Sequence, residues 1–144
     1  VNINSLITAA LQPLLIPMDL HNISLQADVP PGITIEGDFN WLSEALQNIF
    51  KNCMESAGDN GKIDIHCEDN PIFTEITIHD SGAGFKKEDL PNLFNRFYRG
   101  QNSSTAGYGI GLALCRTIIT RQGGSITARN HPRGGAMFVI RFPK

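Results

Sequence analysis

Amide and carboxylate side chains recur along one face of a predicted helix. The apolar spacing of residues 39–57 is helical, and Asp38 is a suitable N-cap before it. Glu44, Asn48 and Asn52 follow at intervals of one helical turn, so they share one face. Magnesium needs only one or two protein oxygens, and an asparagine carbonyl supplies one without a charge that repels phosphate. The column predicts either a site for hydrated magnesium or an ordinary solvated helix face.

The segment HDSGAG carries a second chemical signal. A predicted strand ends at Asp80, and Gly82 and Gly84 follow it. Aspartate and glycine also dominate ordinary turns, which is the simpler interpretation. As a binding residue, Asp80 could accept a hydrogen bond from the exocyclic amine of adenine, whereas guanine places an oxygen there. The glycines would let the backbone approach the base.

Alternating glycines stand at the start of an apolar run in GYGIGLAL. They are Gly107, Gly109 and Gly111. A Rossmann loop requires a preceding strand and the spacing GxGxxG, but residues 101–106 are polar and the spacing here is GxGxG. This pattern favours a helix N-terminus with free N–H groups beside glycines, which is suited to phosphate.

The segment LFNRFYRG combines aromatic residues with Arg96 and Arg99 inside a long polar connection. Phe94 and Phe97 could anchor a short helix while an arginine reaches a phosphate. A connection of this length in a compact domain is typical of a functional or mobile segment.

The surrounding pattern predicts an α+β domain. The predicted elements are a helix at 4–16 that Pro13 disturbs, a strand at 23–29 with a short partner at 33–35, the helix at 39–57, strands at 63–67 and 73–79, a short helix at 88–97, a helix at 107–121 closed by a glycine turn, and strands at 126–128 and 137–142. Strands linked as hairpins indicate a mixed, mostly antiparallel sheet with helices on one face. The 144 residues suit a single domain spanning 1–144.

The composition and charge of the chain exclude some classes of function. The net charge of −2 argues against a dedicated nucleic-acid binder, which usually carries a basic face. Cys53, Cys67 and Cys115 have no metal-ligand spacing, so zinc is not expected, and their scatter favours a reducing compartment. No apolar run of about 18 residues and no signal peptide is evident in the sequence, so no direct membrane contact is expected from this chain.

Taken together and in order, four segments resemble the ATP-binding catalytic domain of sensor histidine kinases. ALQNIFKNCMESA resembles the N box, DSGAG the first glycine box, LFNRFYR the F box and GYGIGL the second glycine box. VNINSLITAAL and GGAMFVIRFPK resemble the opening and the closing strand of such domains. The resemblance implies the Bergerat ATP-binding fold, a two-layer sandwich of a mixed, mostly antiparallel sheet and about three helices with a mobile ATP lid.

The resemblance also implies roles for individual residues. Asn52 corresponds to the magnesium ligand, Asn48 faces the phosphates, and Asp80 binds adenine beside Gly82 and Gly84. The implied phosphate-binding residues are Arg96 and Arg99 of the F box and Gly107, Gly109, Gly111 and Leu112 of the second glycine box, with Asn48, Arg96 and Arg99 as the catalytic set. The sequence departs from the family pattern at Glu55, Tyr108 and Ala136.

The implied function is to bind ATP with Mg²⁺ and to donate the γ-phosphoryl group to a histidine on a separate dimerisation domain. None of His21, His66, His79 and His131 lies in the acceptor motif, so the isolated chain is expected to be inactive alone. The expected parent is a homodimeric sensor kinase anchored in the bacterial membrane, with this domain in the cytoplasm and a response regulator downstream.

Three other functions stay open for this pattern. Hydrolytic ATPases of the same fold, such as gyrase and MutL, place a water-activating glutamate where Asn48 lies. A serine kinase of the anti-sigma-factor type would lack the aromatic and arginine pattern of the F box. The departures at Glu55 and Ala136 suggest a nucleotide-dependent interaction module without catalysis.

Overall fold

A five-stranded mixed sheet with helices on one face forms the domain. The computed structural model describes residues 1–95 and 111–144. The helices are α1 (Ile3–Leu11), α2 (Leu15–Leu20), α3 (Phe39–Ala57) and α4 (Gly111–Arg121), and the strands are β1 (Ser24–Asp28), β2 (Lys62–Asp69), β3 (Phe73–Asp80), β4 (Ser125–Asn130) and β5 (Ala136–Pro143). The strand order is β1-β2-β3-β5-β4, in which β1 and β2 are parallel and the other pairs antiparallel. The predicted α+β class and mixed sheet are confirmed.

Strand β3 decides which way Asp80 points. Thr74, Ile76, Ile78 and Asp80 are buried, while the residues between them are half-buried. Because successive side chains of a strand point to opposite faces, Asp80 shares the core-facing side with the isoleucines. The last residue of β3 is therefore an acidic side chain directed beneath the helix layer.

Helix α3 has the bounds that the sequence predicts. The Asp38 side chain accepts a hydrogen bond of 2.9 Å from the backbone N–H of Trp41 and so caps the helix. Its buried face consists of Leu42, Ala45, Leu46, Ile49, Phe50 and Cys53. The helix ends at Gly58, whose φ of +70° is readily adopted only by glycine.

Three local predictions are corrected by the structure. The helix expected at 4–16 is divided, because Pro13 lies in a 3₁₀ turn, Gln12–Leu14, between α1 and α2. The segment 33–35 does not pair with β1; it makes an isolated antiparallel bridge between Thr34 and Asn2. Within the described part of 88–97, only the 3₁₀ turn Leu90–Asn92 forms, and it contains a proline near its start. The mobile lid is predicted over residues 85–106, of which 96–106 lie outside the described residues, so its mobility stays a prediction.

Among residues 1–95 and 111–144, one span, Ile3–Leu20, has the length and the mean hydropathy of 1.3 that crossing a membrane requires, contrary to the sequence expectation. The span is interrupted by the turn at 12–14, and its apolar residues are shared with the core: Ile3, Leu6, Ile7, Ala10, Leu11, Leu14 and Met18 are buried. A buried core helix passes the same test of length and composition, and we interpret the span in that way.

Candidate functional site

Asp80 is held by donors from three different parts of the fold. It is only 1% exposed. Its Oδ1 accepts hydrogen bonds from the Ser56 hydroxyl at 3.2 Å, from the Gly82 N–H at 2.8 Å and from the Ala136 N–H at 3.3 Å. These donors belong to α3, to the loop after β3 and to β5. One carboxylate oxygen is therefore saturated by the protein itself.

The other oxygen, Oδ2, is buried and has no hydrogen-bond partner from nitrogen or oxygen within residues 1–95 and 111–144. Burial raises the pKa of Asp80, while the hydrogen bonds from Gly82, Ala136 and Ser56 oppose that rise. The nearby Cys53 thiol is a weak donor at most, and its own pKa is raised by burial and then by Asp80. A buried acceptor without a partner is costly, so this oxygen suits a ligand that brings an N–H donor. The amine of adenine fits that requirement.

Two glycines allow the backbone to close around Asp80. A Cβ on Gly82 would overlap the backbone oxygen and hydroxyl of Ser56. A Cβ on Gly135 would overlap the backbone oxygen of Asp80, and the φ of Gly135 is +89°. The sequence predicts a role for Gly82 at this site but none for Gly135 or Ser56. The adjacent glycines in HPRGG were the available signal for Gly135, whereas nothing in the sequence distinguishes Ser56.

The loop after Gly84 is fastened to β4 by an asparagine side chain. Asn130 accepts a hydrogen bond of 2.6 Å from the N–H of Phe85 and donates one of 2.9 Å to its carbonyl. A Cβ on Gly84 would lie 2.6 Å from the Asn130 Oδ1, and its φ is +82°. The Phe85 ring also meets Phe138 edge-on, with centroids 5.7 Å apart. Gly84 is thus required by packing within the protein, and its predicted role beside a base stays a prediction.

The predicted amide column is present on α3. The Asn52 Nδ2 donates to the Asn48 backbone oxygen at 2.9 Å, which engages the nitrogen of the amide and leaves its carbonyl oxygen for a ligand. Both asparagines are half-buried, and Glu44 is exposed one turn before Asn48. Within the described ranges, no group of three or more His, Cys, Asp or Glu side chains could hold a metal ion. The donor at this position is an amide oxygen, which suits a magnesium ion that keeps most of its waters.

Helix α4 meets α3 beside Asn48. The Cys115 thiol donates to the Ala45 backbone oxygen at 3.2 Å. Burial is the main cause that raises the pKa of Cys115 to about 12, so the group stays a thiol. Leu112, in the first turn of α4, is buried in the core next to Gly111. Helix α4 thus contacts α3 through Cys115, which lies about one turn after Gly111.

The remaining predicted residues divide between packing and the part of the chain that is not described. Phe94 packs partly buried against the core, and the Arg116 guanidinium lies 5.9 Å from its ring centroid. Arg96, Arg99, Gly107 and Gly109 lie outside the described residues, as do Phe97 and Tyr108. Their assigned roles stay predictions.

A mixed sheet layered on helices, with a buried aspartate at a strand end beside an amide-bearing helix, defines the Bergerat class of ATP-binding domain. Residues 37–144 match the family model described as "Histidine kinase-, DNA gyrase B-, and HSP90-like ATPase". The chain belongs to this family.

Relatives and solved structures identify the type of domain within the family. The chain is 31% identical over 126 residues to the signal transduction histidine-protein kinase BaeS of Escherichia coli K12, covering 85% of this chain and 27% of BaeS. It is 27% identical over 147 residues to the sensor-like histidine kinase SenX3 of Mycolicibacterium smegmatis, covering all of this chain and 38% of SenX3. The chain therefore spans less than half the length of both relatives.

The nucleotide-free catalytic domain of the histidine kinase ThkA has the same fold. The TM-score is 0.88 at 29% identity, covering 100% of this chain and 93% of that one. ThkA in complex with the response regulator protein TrrA matches with a TM-score of 0.84 at 27% identity, covering 100% of this chain and 41% of that one. The chain is thus a catalytic ATPase domain of the histidine kinase type, and the predicted Bergerat fold is confirmed.

Proposed function

We propose that this domain binds Mg-ATP and donates the γ-phosphoryl group to a histidine on a separate dimerisation domain. The observation that carries the proposal is the Asp80 carboxylate, which has one oxygen saturated and the other buried without a partner among the described residues. Adenine supplies the missing N–H donor, whereas guanine would set an acceptor against an acceptor. The carboxylate thereby selects ATP over GTP.

Magnesium belongs beside α3 in this proposal. The Asn52 carbonyl oxygen supplies the protein ligand, since the hydrogen bond to the Asn48 backbone engages the amide nitrogen. The ion would neutralise phosphate charge when bound. An uncharged ligand oxygen keeps that neutralisation intact, because it adds no negative charge next to the triphosphate. Gly82, Gly84, Gly111 and Leu112 are proposed to line the nucleotide.

The residue at position 48 favours transfer over hydrolysis. An asparagine amide cannot accept a proton from an attacking water, so Asn48 cannot act as a general base. A phosphoacceptor histidine brings its own nucleophilic nitrogen and needs no such base. Asn48 therefore orients phosphates, a role we also assign to Arg96 and Arg99 together with Gly107 and Gly109.

The partners follow from the same assignment. We propose one catalytic domain at 1–144 that acts on the dimerisation domain of its own kinase, with a response regulator receiving the phosphoryl group afterwards. The ThkA complex with TrrA supports a response regulator as the downstream partner. The proposed parent is a homodimer anchored in the bacterial membrane, with this domain in the cytoplasm.

Phosphoryl transfer is tested by mixing the purified chain with a separately made dimerisation domain and radiolabelled ATP. We expect labelling of the acceptor histidine, little ATP hydrolysis by the chain alone and no self-labelling. An acceptor His→Gln variant of the dimerisation domain is the control. Rapid hydrolysis by the isolated chain, without labelling of the acceptor, would contradict the proposal and favour a hydrolytic ATPase.

A further inference from the structure

We propose that Ser56 is a positioning residue for base recognition: its hydroxyl fixes the plane of the Asp80 carboxylate so that Oδ2 faces the exocyclic amine of the base. Ser56 was not among the residues that the sequence indicated. The inference rests on the proposed nucleotide binding and adds to it a residue whose side chain acts through Asp80.

The Ser56 hydroxyl donates a hydrogen bond from a side chain to Oδ1 of Asp80. The other two donors to Oδ1 are the backbone N–H groups of Gly82 and Ala136. The Ser56 hydroxyl approaches from the last turn of α3, whereas the backbone donors come from the loop after β3 and from β5. Three donors from three directions restrict rotation of the carboxylate about its Cβ–Cγ bond. Without the hydroxyl, only the loop and β5 hold it.

The packing around Ser56 gives its hydroxyl little freedom. Gly82 lies so close that a Cβ at that position would overlap both the backbone oxygen and the hydroxyl of Ser56. The loop therefore rests directly on the end of α3, although Ser56 itself is exposed on its other side. A hydroxyl in contact with both the loop and the carboxylate couples the position of the base-binding group to the end of the helix.

The same hydroxyl helps Asp80 to stay ionised. Burial is the largest influence on Asp80 and raises its pKa, whereas hydrogen bonds from Gly82, Ala136 and Ser56 lower it, as does His79 on the same strand. On α3, the Cys53 thiol also lies beside the carboxylate. Loss of the Ser56 donor should therefore raise the pKa of Asp80 further. An amine donor binds a carboxylate more strongly than a neutral carboxylic acid.

The first experiment compares ATP affinity between wild type and Ser56→Ala by calorimetry across a range of pH. We expect Ser56→Ala to weaken ATP binding about tenfold to a hundredfold, in line with one hydrogen bond to a charged group. The loss of affinity on acidification should begin at a higher pH than in wild type. Ser56→Thr keeps the hydroxyl and should restore both the affinity and the pH profile.

Ser43→Ala is the matched control, because Ser43 lies in the same helix about 20 Å from Ser56 along its axis. It should leave affinity and pH profile unchanged. If Ser56→Ala bound ATP like wild type at every pH, Ser56 would be only a surface residue at the helix end. If Ser56→Thr failed to restore binding while remaining folded, the hydroxyl would not be the acting group.

The second experiment needs no nucleotide and separates this inference from the proposed function. The carboxyl carbon of Asp80 is titrated by NMR in wild type, Ser56→Ala and Ser56→Thr. A higher pKa of Asp80 in Ser56→Ala alone supports the positioning role even if wild type failed to bind ATP, an outcome that would overturn the proposed function only. Identical titrations in all three proteins would overturn the inference even if ATP binding were demonstrated.

Discussion

The two ends of the candidate site are built in different ways. At the base end, Asp80 is held by donors from α3, the following loop and β5, and glycine backbones close tightly around it. At the phosphate end, within residues 1–95 and 111–144, the Asn52 side chain is oriented by a hydrogen bond to the preceding turn of its own helix. The base end therefore depends on the tertiary packing of distant segments. The phosphate end depends on the helical period, which places Asn48 and Asn52 on one face wherever the helix lies.

This difference has an energetic side. The domain buries a carboxylate oxygen that has no hydrogen-bond partner among the described residues, and such a group costs roughly 1–3 kcal/mol. Half-buried amides next to solvent carry no comparable cost. The base end is thus formed before the ligand binds, which lowers the free energy of unfolding. Ligand binding offsets part of that loss. Substitutions at the two ends should consequently have different signatures in folding and in binding.

The largest expected effect is on folding, at the glycine behind Asp80. Gly135→Ala introduces a Cβ that overlaps the Asp80 carbonyl at a φ of +89°, and we expect a loss of about 3 kcal/mol or more. Gly134→Ala is the control, since its φ of +97° is similarly strained but no atom lies within 4 Å of the added Cβ. That variant should lose only about 1–2 kcal/mol. Urea unfolding measures both, and equal losses would show that Asp80 is not tightly enclosed.

The next effect is on the choice of nucleotide. Asp80→Ala removes the acceptor for the amine and should weaken ATP binding about tenfold to several hundredfold. GTP binding should weaken much less, because guanine cannot donate at that position. Paired calorimetric titrations of ATP and GTP give the affinity ratio for each protein. An unchanged ratio would make Asp80 a turn residue and would place base recognition elsewhere.

A smaller effect is expected at the phosphate end. Asn52→Ala removes the carbonyl ligand and should reduce the gain in ATP affinity that magnesium provides by about tenfold. Because the hydrogen bond of Asn52 among the described residues lies within its own helix, the folding stability should change little. Asn52→Asp keeps an oxygen ligand and serves as the comparison, with each titration repeated in the presence of a chelator. Full magnesium dependence in Asn52→Ala would rule out this ligand.

The smallest effect is the pH dependence of stability without nucleotide. Burial raises the folded-state pKa of Asp80 above its ordinary value of 3.8, so the native state takes up this proton more readily than the unfolded chain. The contribution of this group to stability is therefore full below about pH 3.8 and is lost as the pH rises through the folded-state pKa.

Asp80→Asn should consequently be more stable than wild type at neutral pH, with an advantage that shrinks on acidification. Thermal unfolding across pH measures this difference. Asp19→Asn, at an exposed position in α2, controls for the loss of one negative charge. A constant difference across pH would show that ionisation of Asp80 does not oppose folding.

Much of the fold could be predicted because its signals are local. The period of apolar residues and the N-cap at Asp38 gave the bounds of α3, and alternation gave both hairpins. Predictions that needed a partner in space were less accurate. Segment 33–35 is extended as expected, but it bridges to Asn2. The packing of the fold decides which extended segment becomes its neighbour. Helix α1 ends at Leu11 because Pro13 has no backbone N–H to donate. The sequence did not show at which residue the helix would end.

By itself, the sequence determined the chemical types and their spacing along the chain: amides one turn apart on α3, a carboxylate at the end of β3, and glycines after it. Helical and strand periods are properties of the backbone, so these placements need no knowledge of the fold. Only the tertiary structure decided that Ser56, Gly135, Ala136 and Asn130 meet at the base end, since they lie up to 80 residues apart in the chain. It also decided that one oxygen of Asp80 is saturated and the other is left for a ligand. Hydrogen-bond saturation depends on distances between segments, and those distances are set by the packing of the whole core.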